Sequence, residues 1–170
     1  MILVEADVSE EWDSSTDWAR VAESAVRAAV AQSDVAALLE SGLIAEVSVR
    51  FTSDAEVKGL NADWRGKDKP TNVLSFPMVE PDQLESLTRA REGEALLGDI
   101  VLAHGICASE AAEKGLATRT HAAHLVVHGT LHLLGFDHER GDEDAETMEE
   151  AERRSLAALG IDDPYEVHQR

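Results

Sequence analysis

The stretch from His128 to His138, HGTLHLLGFDH, constrains this chain more than any other. Apolar residues at helical spacing lead into it, and Gly135 stops them. That pattern predicts a long helix from about Thr118 to Leu134. His128 and His132 are then four residues apart on one helix face, roughly 5–6 Å apart at Cβ. Gly135 lets the chain turn back, so His138 closes a third corner. Three neutral imidazoles with one coordination position left open make a catalytic zinc site, not a closed structural one. Nickel, copper and iron also accept three imidazoles.

The spacing H-x-x-x-H-x-x-G-x-x-H also occurs in metzincin proteases, which carry a glutamate general base directly after the first histidine. Gly129 stands there in this chain. The metal geometry is kept and the proteolytic base is missing. His121 and His124 precede the motif on the same helical stripe. A metal-bound histidine usually donates its other ring nitrogen to a supporting partner. His124 is a candidate member of that supporting layer, with plain packing or solvent exposure as the alternative. His104 and His168 receive no role.

The remaining sequence predicts one α+β domain over residues 1–170, with a small mixed sheet of about four strands packed against helices. The expected strands are MILVEADV, SGLIAEVSVRFT, VLSFPMVE and LLGDIVLA. Val47, Val49 and Phe51 alternate with Ser48 and Arg50 in the second. Ser14 or Ser15 is the expected cap of a helix over TDWARVAESAVRAAVAQ, and Ser53 that of a short helix after the second strand. PDQLESLTRAREGEA is expected as a hairpin-like excursion or a mobile loop. Gly115 is the expected end of a helix containing SEAAEKG, and a last helix is expected from Asp142 to about Leu159.

The net charge of −19 predicts a protein that repels nucleic acid and anionic membranes on average. One cysteine, Cys107, rules out an intrachain disulfide. The N-terminal MILVEADVSEEW lacks the basic region of a signal peptide, and no run approaches the length of a membrane span. The expected location is the cytoplasm, with no membrane partner.

Against this acidic background, DWRGKDKPTNVLSFP holds the densest basic patch, Arg65, Lys67 and Lys69. A solvated loop is one reading. The other is a phosphate-binding site, because the planar guanidinium of Arg65 suits phosphate oxygens and the following strand, expected in the core, would hold the loop rigidly. Acids crowd Glu5–Asp13 and Glu139–Glu152. The second group reads as a helix start favoured by its dipole, plus a solvated face.

HGTLHLLGFDH, LNADWRGKDKPTNVLSFP and LLGDIVLA together resemble the YbeY family of bacterial rRNA-maturation endoribonucleases. The resemblance covers most of the span from about Leu60 to His138. Phe136 stands where tyrosine is more usual and Asn72 where aspartate is, and Asp99 sits in the family's Leu-Gly-Asp pattern. The resemblance implies an α+β fold and one zinc per chain held by His128, His132 and His138. It assigns Arg65 to RNA binding or catalysis. It also implies cleavage of single-stranded RNA in 16S rRNA 3′-end processing and ribosome quality control, with ribosomal proteins or the small subunit as partners. Two other readings fit the residues: a non-catalytic ribosome-assembly factor with structural zinc, and a zinc hydrolase of peptides or esters.

Overall fold

The computed structural model describes residues 1–137 and 141–164. Strands β1 (Ile2–Val8), β2 (Ile44–Thr52), β3 (Val73–Pro77) and β4 (Glu94–Ala103) form one sheet in the order β1-β2-β4-β3. β1 and β2 are parallel, as are β2 and β4, while β3 runs antiparallel to β4. The helices are α1 (Trp18–Ala31), α2 (Asp54–Arg65), α3 (Pro81–Thr88), α4 (His104–Lys114), α5 (Thr118–Leu133) and α6 (Asp142–Ala158). The expected α+β class and four-strand mixed sheet are what the chain adopts.

Alternation along the strands sorts the helices into layers. Val47, Val49 and Phe51 of β2, with Ile100 and Leu102 of β4, enter the main core under α1 and α5. Val101 of β4 points the other way and joins Leu74 of β3 and Val57 of α2 in a smaller cluster. α6 packs on α1 and α5 and closes the larger layer. α5 is therefore enclosed: Ala122, Leu125, Val126, Val127 and Leu131 are all buried. No described helix is long and apolar enough to cross a membrane.

Three local expectations are corrected. α1 is capped by Asp17, whose carboxylate accepts from the Arg20 N–H at 3.1 Å. Ser15 is drawn aside instead, donating its backbone N–H and its hydroxyl to Asp13. Residues 81–88 form a helix, α3, not a hairpin or a mobile loop. Pro81 presets the first helical φ, and Leu84, 1% exposed, is its one buried anchor. A single anchor leaves too little periodicity to read in advance. β3 is an edge strand, of which only Leu74 is buried, so core burial does not hold the basic loop before it.

α5 approaches β4 closely at Gly129. A Cβ built there would lie 2.9 Å from Cγ2 of Ile100, a side chain with no exposure. The position that carries the base in metzincins is thus pressed against the sheet, and a side chain there would have to displace Ile100. Gly129→Ala is expected to lower stability on the order of 1 kcal/mol, because overpacking outweighs the gain in helix propensity. Urea unfolding of the two proteins checks this; an equal or higher midpoint would contradict the close approach.

Candidate metal centre and groove

α5 carries the histidines, and its C-terminus sets the orientation of one of them. Gly135, at φ 96°, takes the left-handed conformation that ends the helix. The Phe136 N–H then bonds the Leu131 carbonyl at 3.0 Å, and the Gly135 N–H bonds that of His132 at 3.1 Å. This paired closure folds the Phe136 carbonyl back onto the helix, where it accepts from His132 Nδ1 at 3.0 Å. A carbonyl only accepts, so Nδ1 bears the proton and Nε2 presents its lone pair.

His128 is oriented in the same sense by a different group. Its Nδ1 donates to Oε1 of Glu152 on α6, and His124 Nε2 donates to Oε2 of the same carboxylate at 2.9 Å. Glu152 is 1% exposed. A buried carboxylate is costly unless its oxygens are satisfied, and here each oxygen meets an imidazole. The Nε2 atoms of His128 and His132 face each other 3.1 Å apart. Two lone pairs at that distance repel unless a proton or a cation sits between them. A tetrahedral zinc with ligands at about 2.0–2.1 Å spaces two nitrogens about 3.3 Å apart, so the donor pair suits that ion. His138, the third expected ligand, lies outside the described residues.

The histidine pair opens into a groove of about 710 Å³. Its walls include His128 and His132 from α5, Asn72 just before β3, Val73 and Ser75 within it, and Arg65 from the end of α2. Arg65 forms no ion pair with any described carboxylate. Lys67 and Lys69 are exposed on the loop and do not line the groove. Of the sequence-derived candidates, the fold thus brings together His124, His128, His132 and Arg65, and leaves the two lysines outside.

Glu152 was not singled out in the sequence; it belongs to a run of acids read as a solvated face. The signal that reveals it is its place between Met148 and Leu156, four residues from each, on the stripe that α6 buries. An acid in an apolar stripe calls for a partner, and α5 supplies two.

A second buried histidine lies one turn earlier. His121 is 2% exposed and its Nε2 donates to Glu110 of α4 at 2.9 Å. The Asn72 amide donates to the same Glu110 oxygen at 3.0 Å. Burial pushes the His121 pKa down from 6.5, against the opposing pull of Glu110, with Lys114 and His124 adding to the fall. Burial works to raise the Glu110 carboxyl, but hydrogen bonds from His121 and Asn72 outweigh it and hold the pKa below 4.5.

The fold and site define a small α+β protein with a helix-borne histidine pair, buttressed by a buried carboxylate, on the wall of an open groove. The chain belongs to the YbeY family. The family model described as Endoribonuclease YbeY matches residues 6–160. The chain is similar to the Endoribonuclease YbeY of Rhizorhabdus wittichii, 56% identical over 167 residues and 98% of both chains. It is also similar to that of Sphingopyxis alaskensis, 53% identical over 165 residues, covering 97% of this chain and 98% of the relative. Its fold is similar to the solution structure of TM1509 from Thermotoga maritima, with a TM-score of 0.54 and 24% identity. That match covers 97% of this chain and all of the other.

Both shifts at the Glu110–His121 pair make the fold acid-sensitive. For His121, whose folded pKa is lowered, the stabilising contribution is complete above the unfolded value of 6.5 and is lost as pH falls through the folded pKa. For Glu110 it is complete above 4.5 and lost at still lower pH. His121→Leu should therefore show a smaller drop in urea midpoint between pH 7 and pH 5 than the parent. Equal drops would remove His121 from the pH dependence.

Proposed function

We propose that this chain is a zinc-dependent endoribonuclease that cuts single-stranded RNA in rRNA maturation. Its membership of the YbeY family supports the activity. The observation that carries the chemistry is the groove itself, with Arg65 on one wall and the Nε2 atoms of His128 and His132 on another. His128, His132 and His138 would hold one zinc. Bound there, zinc supplies Lewis acidity, which activates water or polarises a phosphate oxygen.

The chain's own residues do the rest. Glu152 takes the Nδ1–H of His128, and the Phe136 carbonyl takes that of His132, so both rings stay in the tautomer that ligates through Nε2. Arg65, with no ion pair to a described carboxylate, would meet the phosphoryl oxygens and stabilise the charge that builds there. Aromatics are only 4% of the chain, so recognition would rest on the RNA backbone more than on stacked bases. The fragment expected to be cut lies at the 16S rRNA 3′ end. The strongly acidic surface favours a substrate presented in the small subunit, beside basic ribosomal proteins, in the cytoplasm. Peptide hydrolysis by the metzincin route is disfavoured because glycine stands at position 129, where that route needs a glutamate.

Arg65→Ala is expected to slow cleavage of a single-stranded RNA by about 100- to 1,000-fold, the usual loss when a transition-state donor is removed. Metal content should be unchanged. Intact cleavage would take Arg65 out of the reaction, and activity on casein but not RNA would overturn the substrate assignment.

Glu152→Gln places an NH2 group against one of two ring N–H donors and favours the wrong His128 tautomer. Zinc affinity should fall roughly 10–100-fold, measured by competition with a chelating dye. Unchanged affinity would separate Glu152 from the metal centre.

A further inference from the structure

The groove is built from two parts that the chain makes separately. The histidines ride on α5, deep in the main core. Arg65 and the loop after it run into β3, an edge strand with one buried residue. For Arg65 and the histidines to act on one phosphodiester, these parts must keep a fixed distance. Loss of about 1 Å in such an alignment can cost on the order of 100-fold in rate.

Two hydrogen bonds, one from a side chain and one between backbone groups, tie the middle and the far end of the loop down. Asn61 of α2, 2% exposed, donates its amide to the Lys69 carbonyl at 2.9 Å and so pins the middle of the loop to its own helix. At the far end, the Asn72 carbonyl accepts from the Ala103 N–H at 2.9 Å, which fastens it to β4. Neither tie reaches α5. β3 itself packs directly against α5, and the polar tie to α5 at the Asn72 end, among the described residues, is Glu110. Its Oε1 receives N–H bonds from both His121 of α5 and Asn72, which lines the groove. One oxygen thus joins the histidine helix to the start of β3 through α4. The rest of the His121 ring is enclosed, with Nδ1 buried and unpartnered, so Nε2 has one place to donate. That anchors the carboxylate on the α5 side and leaves it directed at Asn72.

We propose that Glu110 is a positioning residue for the groove, holding the Asn72 end of the phosphate-binding loop in register with the histidine helix. Its role as a positioner of RNA chemistry rests on the endoribonuclease reading; its role as a tie does not. The group used is a hydrogen-bond acceptor, since both bonds enter the same oxygen. Glutamine keeps an acceptor at that place, and alanine does not.

The test compares the parent with Glu110→Ala, Glu110→Gln and Asn72→Ala. It reads amide hydrogen exchange over residues 66–74 and at Ala103, zinc content, and kcat and KM on a single-stranded RNA. Glu110→Ala and Asn72→Ala should raise exchange in that segment while amides of α5 stay protected. They should lower kcat about ten- to hundredfold with metal content kept. Glu110→Gln should restore both readouts close to the parent. Asn72→Ala breaks a bond of a half-buried side chain only, so it tests the tie even if Glu110→Ala folds poorly. Unchanged exchange in Asn72→Ala and Glu110→Ala would overturn the proposal. So would a Glu110→Gln protein as impaired as Glu110→Ala, since the carboxylate would then be acting by charge or proton transfer. A parent that cuts no RNA would sink the endoribonuclease reading instead, and the exchange result would still decide the tie.

Discussion

The His128 half of the candidate centre depends on one buried carboxylate. Glu152 reaches from α6 and takes one imidazole N–H on each oxygen. Without those donors a charge with 1% exposure would be a heavy cost to the fold. Without the carboxylate, His128 would lose what sets its tautomer. The same bonds dock α6 onto α5, so the last helix and the centre share one packed interface. A ligand-orienting group is commonly placed on a rigid neighbour for this reason: it is held by packing, not by its own flexibility.

Much of the frame was legible because it rests on local rules. The alternation in β2, the Ser53 cap and the glycine that ends α5 each follow from short-range chemistry, and the structure reproduces them. The His128–His132 spacing required only a helix, and the helix is there. What escaped was set by tertiary contacts. Glu152 lies in an acidic run, and only the packing of Met148 and Leu156 reveals which face of α6 turns inward. Glu110 sits on a short helix with nothing unusual around it, and its partners are distant in sequence. The order of strands places β3 at the edge, which no pattern within VLSFP discloses. His138 lies outside the described residues, so its part in the centre still rests on the motif.

Gly129 shows how a single residue can be read twice. In the sequence it is the absence of a glutamate. In the structure it is the place where α5 comes down on Ile100 of β4. The helix could not carry a base there and still lie this close to the sheet. The missing base is therefore not an isolated substitution in a protease-like site. It is part of how α5 is packed, and the same packing aims His128 and His132 along the groove.

The charge of the chain and the chemistry of the groove pull in opposite directions, and distance decides between them. At physiological ionic strength the field of a surface charge fades over about 8 Å. Acids beyond that range still slow the approach of a polyanion, since repulsion acts on the encounter as a whole. Within the groove the nearest cation is Arg65, with no described carboxylate paired to it. Glu80 and Asp137 also line the groove, so a phosphate in contact with that guanidinium and the histidine centre meets two nearby acids as well as the remote ones. A surface of this charge repels free RNA on average.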